Sequence, residues 1–320
     1  MKKCCFVIPF FGKLPNYFSL FLKTCEYNPD FNWLIVTDDK AEYCYPPNVE
    51  RVYMSFDELR ELIQSKFDFE ISLEKPYKLC DFRPAYGFIF EEYLSDFRFW
   101  GYCDTDMLIG NINKFITDEL LEKYDKFFCL GHMALFRNNA DDRRLFMSKI
   151  KGKYWYKEAF TNPQNVIFDE DCRSSQNIHK IYLKRGKRVL EEDWSINFKI
   201  LPARFIKITY VPDSKEFIAD DQPAVYLWER GETCRYILEN GKLQREDYLY
   251  IHLQERKMSI DESITSNDVI KVVPNKFLPL EVSKITEKNF SKIKKYTLNF
   301  HLIQYHYKWK KKRAKEILGI

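Results

Sequence analysis

Two aspartates one residue apart, Asp104 and Asp106, have the types and spacing best suited to chemistry in this sequence. They follow the apolar run 97–103, whose alternation predicts a buried strand. In open α/β sheets, ligand-binding groups lie at the carboxyl ends of strands. Because side chains at i and i+2 of an extended chain share one face, both carboxylates can converge on a divalent cation that bridges phosphates. The pattern predicts a metal-diphosphate site.

The alternative for this Asp-x-Asp pair is a pair of exposed aspartates in an ordinary turn. Here the pair is flanked by apolar chain, since the strand precedes it and Met107-Leu108-Ile109-Gly110 follow at once. Burying two like charges without a cation or hydrogen-bond donors is costly. The context therefore favours the metal site over the turn.

Other polar residues near predicted strand and helix ends are further candidates. Asp38 follows a strand and can contact a nucleoside or cap a helix. Arg83, one turn into a predicted helix, can reach a phosphate, clamp a carboxylate or form a surface salt bridge. The acidic segments 169–171 and 191–193 can supply a general base or acceptor-hydroxyl ligand, or simply face water. His252 ends a late strand, where imidazole can complete a cation's coordination or be an ordinary core residue.

The elements that must position these residues alternate between strands and helices. A strand over 4–10, a helix over 16–25 and a strand over 33–37 predict a βαβ unit. Ser55 and Glu58 predict a capping box at the start of the next helix. The predicted elements that follow are a strand at 49–54, a helix over 79–94, strands at 125–130, 133–136, 205–211 and 224–228, and a hairpin turning at Asn240-Gly241. The fold class is α/β.

Composition limits the class of protein. The 320 residues suffice for one large domain or two modest ones, and the apolar and charged fractions are those of a soluble globular protein. The nine cysteines contain no C-x-x-C pair, and several lie in apolar runs, so neither a zinc site nor a disulfide framework is predicted. No apolar stretch is long enough to span a membrane, and the amino terminus lacks a signal peptide pattern. We expect a cytoplasmic protein.

Composition changes after residue 258. We predict one catalytic domain over 1–258, followed by a connector and a basic, aromatic carboxy-terminal tail over 259–320. A helical tail of this kind suits the anionic inner face of a plasma membrane. It would also suit nucleic acid, or form a solvated terminal helix. We place membrane association first and expect no nucleic-acid partner.

Four stretches together resemble bacterial sugar-nucleotide-dependent glycosyltransferases of the GT-A fold. They are Val7-Ile8-Pro9-Phe10-Phe11, the run 78–87 with its Asp81-x-Arg83, the run 100–106 followed by Gly110-Asn111-Ile112, and Tyr250-Ile251-His252-Leu253-Gln254. The likeness covers about residues 1–258. It is to capsular and cell-surface polysaccharide enzymes that contain Asp-x-Asp and are often left as a domain of unknown function.

The resemblance implies a Rossmann-like mixed sheet flanked by helices, a nucleoside diphosphate sugar donor, in the first place a UDP-sugar, and Mn²⁺ or Mg²⁺. The metal would be held by Asp104 and Asp106, with His252 matching a late histidine that completes the site in some related families. Phe10, Phe11 and Asp38 lie where these enzymes hold the nucleoside, and Asp81, Arg83 and Asp104 lie near the donor.

The predicted activity is transfer of a sugar to a saccharide or lipid-linked oligosaccharide acceptor. Such a reaction needs the charge of the leaving diphosphate stabilised, and an inverting enzyme also needs a carboxylate base, for which Asp169, Glu170 and Asp171 are the candidates. Two other classes stay open: another α/β phosphate-ester enzyme, and a non-catalytic protein that binds membrane or nucleic acid. The first usually has a glycine-rich or basic phosphate loop, of which 9–13 offers little.

Overall fold

The computed structural model describes residues 1–172, 174–201, 204–254, 256–295 and 300–318. The strands are β1 (Lys2–Phe10), β2 (Phe31–Thr37), β3 (Val49–Tyr53), β4 (Phe97–Cys103), β5 (Met107–Ile109), β6 (Lys126–Phe127), β7 (Met133–Arg137), β8 (Lys149–Ile150), β9 (Lys153–Tyr154), β10 (Val189–Leu190), β11 (Ser195–Phe198), β12 (Lys207–Val211), β13 (Glu216–Asp220), β14 (Ala224–Glu229), β15 (Glu232–Glu239), β16 (Lys242–Tyr248), β17 (Tyr250–His252), β18 (Val269–Val273) and β19 (Lys276–Pro279). The α-helices are α1 (Phe18–Glu26), α2 (Phe56–Ser65), α3 (Leu79–Phe82), α4 (Tyr86–Ile89), α5 (Ile112–Phe115), α6 (Asp118–Lys123), α7 (Ala140–Arg143), α8 (Trp155–Thr161), α9 (Ile178–Lys184), α10 (Glu287–Ile293) and α11 (Phe300–Leu318).

A seven-stranded sheet in the order β10-β6-β7-β4-β1-β2-β3 forms the centre of the fold. Strands β3, β2, β1 and β4 are parallel, whereas β7 runs antiparallel to both of its neighbours. Alternate residues of β1 face opposite sides, with Cys5 and Val7 in one apolar core and Phe6 in the other. Helices α2, α8 and α9 cover the first face and α1 and α6 the second, which confirms the predicted α/β class with a mixed sheet flanked by helices.

A second sheet, in the order β13-β12-β11-β17-β5, positions the candidate site. The chain leaves the central sheet at the end of β4 and enters this second sheet at β5 after only three residues, Asp104-Thr105-Asp106. Strand β5 pairs antiparallel with β17, so that Met107 lies opposite His252. The two aspartates therefore lie on the connection between two sheets, beside the last residue of β17.

The third sheet, β16-β15-β14-β18-β19, is antiparallel throughout. Its β15–β16 hairpin turns at Asn240 and Gly241 with φ angles of 50° and 76°, as the type I′ turn requires. Strands β18 and β19 come from the stretch predicted to be a connector, so residues 269–279 add to this sheet. Helix α10 then packs Phe290 and Ile293 against the apolar face of this third sheet.

Two local predictions are wrong in detail. The helix expected over 79–94 is broken into α3, a 3₁₀ turn at Arg83–Ala85, α4 and a second 3₁₀ turn at Glu91–Tyr93. The first break follows from Pro84, which has no backbone N–H to continue the hydrogen-bond ladder. In the α4 part of this segment, Gly87 packs directly on the core, since a Cβ there would be 2.2 Å from the Trp100 ring. The strand predicted at 125–130 ends at Phe127, because Phe128 has a φ of 67°. The capping box at Ser55 and Glu58 is confirmed.

The basic tail forms α11, in which Ile303 and Tyr307 are exposed. Residues 296–299, 319 and 320 of the predicted tail lie outside the described residues. Within the described part of the chain, none of the helices is both long and apolar enough to cross a lipid bilayer. Membrane contact through the tail stays a prediction.

Candidate metal centre

The backbone around the two aspartates is fixed from both sides. The Asp104 N–H donates to the carbonyl of His132, with N and O 3.0 Å apart, and the Asp106 carbonyl accepts from the Leu253 N–H at 2.9 Å. The first bond extends the β4–β7 ladder, and the second extends β5–β17. The connection between the sheets is therefore held in one conformation, and its two carboxylates are presented together.

Three side chains converge at this connection. The carboxylates of Asp104 and Asp106 and the imidazole of His252 each offer a ligand atom, and all three atoms lie within 4.8 Å of one another. His252 Nε2 is 3.6 Å from Asp104 Oδ2 and 3.4 Å from Asp106 Oδ1. Protein ligands of one small cation are separated by similar distances, because each lies roughly 2 Å from the ion. The residues that sequence reasoning assigned to the metal are thus brought together.

The orientation of the His252 ring is set by Asn197. Asn197 Oδ1 lies 3.1 Å from His252 Nδ1 and also accepts from the backbone N–H of Phe198 at 3.1 Å and from Gln254 Nε2 at 2.5 Å. Because that backbone group can only donate, the amide oxygen must face the histidine, and Nδ1 must carry the proton. The Nε2 atom is therefore the one directed at the two carboxylates, and once it has lost its own proton its lone pair is available to a metal.

The charges at the site favour a cation. Burial opposes protonation of His252, but Asp106 and Asp104 outweigh it and raise the pKa of the imidazole above its usual value. Burial also raises the pKa of Asp104, against the nearby Arg83 and together with Asp106. In the absence of a metal, a proton on this cluster is thus stabilised. A divalent cation would replace that proton as the compensating charge.

Arg83 connects the metal cluster to the acidic segment. Its Nη2 donates to Asp104 Oδ1, while Nη1 donates to Asp169 Oδ2 at 3.0 Å and to the Gly131 carbonyl at 2.7 Å. The guanidinium carbon lies 5.4 Å from the centroid of the Tyr102 ring. With its side chain only 18% exposed, Arg83 is a buried link rather than a surface salt bridge.

Two of the three candidate bases lie beside this link. The Asp169 carboxylate contacts Arg83, and burial raises its pKa to about 7, against the effect of Arg83. Glu170 Oε2 accepts from the Gly131 N–H at 2.9 Å. A Cβ at Gly131 would lie 2.8 Å from Asp169 Oδ2 and 3.1 Å from Glu170 Oε2, so glycine leaves the room that both carboxylates occupy.

Asp171 and Asp81 have partners outside the metal cluster. The Asp171 carboxylate is buried, 2.8 Å from Lys180 Nζ, and accepts from Asn177 at 3.0 Å. Asp81 is fully buried and accepts from Lys78 Nζ and from two backbone N–H groups, those of residues 166 and 168. Asp81 therefore orders the segment that leads into Asp169, and its contact with a donor stays a prediction.

The residues predicted for the nucleoside lie at the carboxyl ends of two neighbouring parallel strands, Phe10 and Phe11 at β1 and Asp38 at β2. Asp38 Oδ1 accepts from the backbone N–H of Gly12 at 2.7 Å, which closes the turn after β1. Phe11 packs against Phe56 with ring centroids 5.4 Å apart, and Phe10 is partly exposed. These contacts explain the local structure, and a role in holding a nucleoside stays a prediction.

Four residues of the site were missed by sequence reasoning: Gly131, His132, Asn197 and Tyr250. Tyr250 Oη lies 2.6 Å from His132 Nδ1, and the His132 ring centroid is 4.6 Å from that of His252. His132 Nε2 is buried without a hydrogen-bond partner among the described residues. For Gly131 and His132 a signal was available, because this Gly-His pair interrupts the apolar run 127–136.

Fold and site together define the class of this protein: it is an α/β protein with a carboxylate–imidazole cluster between two sheets. The sequence profile of a family of unknown function, DUF6625, matches residues 6–281, and the chain belongs to that family. A search of curated proteins finds no significant match.

Among solved structures, the chain is similar to the galactosyltransferase LgtC in complex with donor and acceptor sugar analogues, at 12% identity and a TM-score of 0.34 over 61% of this chain and 75% of that one. An active-site mutant of LgtC gives 13% identity and the same TM-score, over 61% and 74%. At this level of likeness, the function has to be inferred from the chain's own residues.

Proposed function

We propose that this protein is a metal-dependent glycosyltransferase that moves a sugar from a nucleoside diphosphate sugar, in the first place a UDP-sugar, to a saccharide acceptor in cell-surface polysaccharide synthesis. The observation that carries the proposal is the cluster of Asp104, Asp106 and His252 at the junction of two sheets. The sugar class comes from the motif resemblance around these residues, and the metal comes from their chemistry.

The donor set fits a divalent cation of the Mn²⁺ type. Carboxylate oxygens suit Mg²⁺ and Mn²⁺, and an imidazole nitrogen favours a transition metal over Mg²⁺. When bound, such an ion would stabilise the charge that develops on a leaving diphosphate. Asp104 would offer Oδ2 to the metal, since Arg83 holds Oδ1.

The remaining residues supply positioning and proton transfer. Arg83 holds Asp169 and Asp104 together and keeps a positive charge beside the position proposed for the diphosphate. With a pKa of about 7, Asp169 is matched to accepting a proton from an acceptor hydroxyl near neutral pH. We assign Asp169 as the first candidate for the base, with Glu170 beside it and Asp171 less well placed.

Ligand-dependent thermal unfolding tests the proposal. Purified protein is heated with Mn²⁺ and UDP, and with GDP, CMP or Mn²⁺ alone as comparators. A ligand at 100 times its Kd stabilises the folded state by about 2.7 kcal/mol, which should raise the Tm by several degrees. We expect the shift with UDP to need Mn²⁺ and to disappear in Asp104→Asn and Asp106→Asn.

The matched control is Asp213→Asn, an exposed aspartate in the turn between β12 and β13, which should leave the shift unchanged. A shift that persists in both site variants would show that the nucleotide binds elsewhere. No shift with any nucleotide would contradict the proposal and favour the non-catalytic binding protein. Hydrolysis of a simple phosphate ester without nucleotide preference would favour a phosphate-ester enzyme.

A further inference from the structure

A second group of metal-binding side chains lies outside the proposed active site. Cys129 follows β6, His179 lies on α9 and Glu191 follows β10, and one ligand atom of each lies within 4.8 Å of the others. Cys129 is 3% exposed and His179 is fully buried, so two of the three side chains lie in the interior. Residues far apart in sequence thus bring a sulfur, a nitrogen and an oxygen to one point.

The contacts within the group leave binding capacity unused. His179 Nε2 lies 2.8 Å from Glu191 Oε1, while the Cys129 thiol reaches only the backbone carbonyl of Glu191, at 3.4 Å. The other ring nitrogen, His179 Nδ1, is buried with no hydrogen-bond partner among the described residues. The imidazole therefore contacts Glu191 through one nitrogen and leaves the other unused, so its hydrogen bonds alone do not account for its burial. A thiol, an imidazole and a carboxylate that converge in this way have the chemistry of an incomplete coordination shell.

The donor atoms differ in kind from those of the first site. Thiolate, imidazole and carboxylate together suit Zn²⁺, whereas the oxygen-rich set at Asp104 and Asp106 suits harder cations. Three protein ligands also leave the fourth position of a tetrahedral site open.

The charges around this group are mixed. Asp171 Oδ2 is 4.0 Å from His179 Nε2 and is itself paired with Lys180 and, at 3.8 Å, with Lys215. Lys126 is fully buried nearby, donates to the Phe128 carbonyl, and has a pKa lowered by burial to about 8. Its ammonium group repels a cation, so Lys126 should lower the affinity of this group of side chains for a metal.

We propose that Cys129, His179 and Glu191 bind Zn²⁺ at a site separate from the metal centre at Asp104 and Asp106. Binding exchanges the thiol proton of Cys129 for the metal, and that proton passes to solvent. The bound ion ties the segment 128–132 to α9. Because the Cys129 carbonyl accepts from the Asp171 N–H at 2.9 Å, it also anchors the acidic segment 169–171.

Metal titration of the full chain tests this proposal without any substrate. Metal-stripped protein is titrated with Zn²⁺ against a chromophoric chelator, and with Co²⁺ while thiolate-to-metal charge-transfer absorption is recorded. Because the centre at Asp104 and Asp106 would also take Zn²⁺, the titration is read in the double variant Asp104→Asn with Asp106→Asn, where we expect one equivalent of Zn²⁺ to bind. The Co²⁺ spectrum of the same variant should show a thiolate signature. Cys129→Ser and His179→Asn should each weaken Zn²⁺ binding at least about tenfold.

The matched control for the thiol is Cys234→Ser, another buried cysteine, which lies on β15 outside the group and should leave Zn²⁺ binding unchanged. The double change Asp104→Asn with Asp106→Asn removes only the first centre and should keep the Zn²⁺ equivalent that carries the thiolate signature, so failure here and failure of the proposed glycosyltransferase are separate results. Lys126→Met removes the competing ammonium and should strengthen Zn²⁺ binding, an effect that a merely structural role would not produce.

Two results would overturn the proposal. One is Zn²⁺ binding that is lost with Asp104 and Asp106 but kept in Cys129→Ser. The other is a Co²⁺ complex of the wild-type chain without a thiolate band. If Cys129→Ser does not fold, the wild-type Co²⁺ spectrum and the Lys126→Met affinity still decide the matter.

Discussion

Replacing Asn197 with alanine should weaken Mn²⁺ binding although Asn197 is not itself a metal ligand. The amide oxygen is the acceptor for His252 Nδ1 and fixes which ring nitrogen faces Asp104 and Asp106. Without it, the ring can adopt the other tautomer or rotate, and a fraction of molecules no longer offer the Nε2 lone pair.

The size of the effect follows from the contacts. Losing the partner that orients a metal-ligating histidine typically costs about 10–100-fold in metal affinity, or about 1.4–2.8 kcal/mol. Asn197 is 2% exposed, and its oxygen also accepts from the Phe198 N–H. Donors left buried without an acceptor should cost about a further 1–3 kcal/mol of folding stability.

The two effects are separable by experiment. Mn²⁺ affinity is measured by calorimetric titration well below the Tm of each variant, and stability by denaturant unfolding without metal. Asn197→Asp is the matched control, because a carboxylate oxygen still accepts from all three donors, His252 Nδ1, the Phe198 N–H and Gln254 Nε2, and should keep the Mn²⁺ affinity within a few-fold of wild type.

An Asn197→Ala variant that binds Mn²⁺ as tightly as wild type, while His252→Ala does not, would contradict a role for Asn197 in metal binding. An Asn197→Asp variant that loses as much affinity as Asn197→Ala would contradict it as well. In either case, the ring would be oriented by packing alone and not by the hydrogen bond.

Three further changes have expected outcomes. Gly131→Ala should destabilise the fold by about 1–3 kcal/mol and weaken the metal-dependent nucleotide shift, because its Cβ would lie 2.8 Å from Asp169 Oδ2 and 3.4 Å from Arg83 Nη1 and displace the arginine proposed to lie beside the diphosphate. An unchanged shift would show that Arg83 keeps its position. The pKa of Asp125 is lowered from 3.8 to about 2 because the hydrogen bonds from Arg188 outweigh burial, so stability of about 1–2 kcal/mol should be present above pH 4 and lost as the pH falls to 2. The range of about 1–2 kcal/mol allows for screening by solvent at the half-exposed Arg188. In acid unfolding, the Asp125→Asn variant should not show this loss of stability between pH 4 and pH 2. Ser55→Ala should cost about 1 kcal/mol in denaturant unfolding, whereas Ser55→Thr should cost much less, since it keeps the capping hydroxyl.

Local signals were sufficient for much of the fold. The strand over 97–103 was predicted with the bounds that the structure has, because its apolar run is long and ends abruptly at Asp104. The type I′ turn at Asn240-Gly241 depends on two residues that tolerate positive φ, and such a requirement is legible without the rest of the chain. Both features are decided by neighbours in sequence.

The site itself depends on contacts that sequence alone does not contain. Asp104 and His252 are 148 positions apart and meet because β5 pairs with β17, a register that no local pattern specifies. Asn197 reaches His252 through the parallel pairing of β11 with β17. Gly131 matters through the space it leaves for Asp169 and Glu170, which is visible only after folding.

The short connection between β4 and β5 has a consequence for how this family can diverge. One residue inserted between 103 and 107 would turn one aspartate to the opposite face and shift β5 against β17 by one position. Length changes in the β12–β13 turn, at an exposed edge of the second sheet, would disturb neither pairing. Among relatives that share the activity, we expect gaps in an alignment to be common at the edge hairpin and excluded from the three residues that join the two sheets.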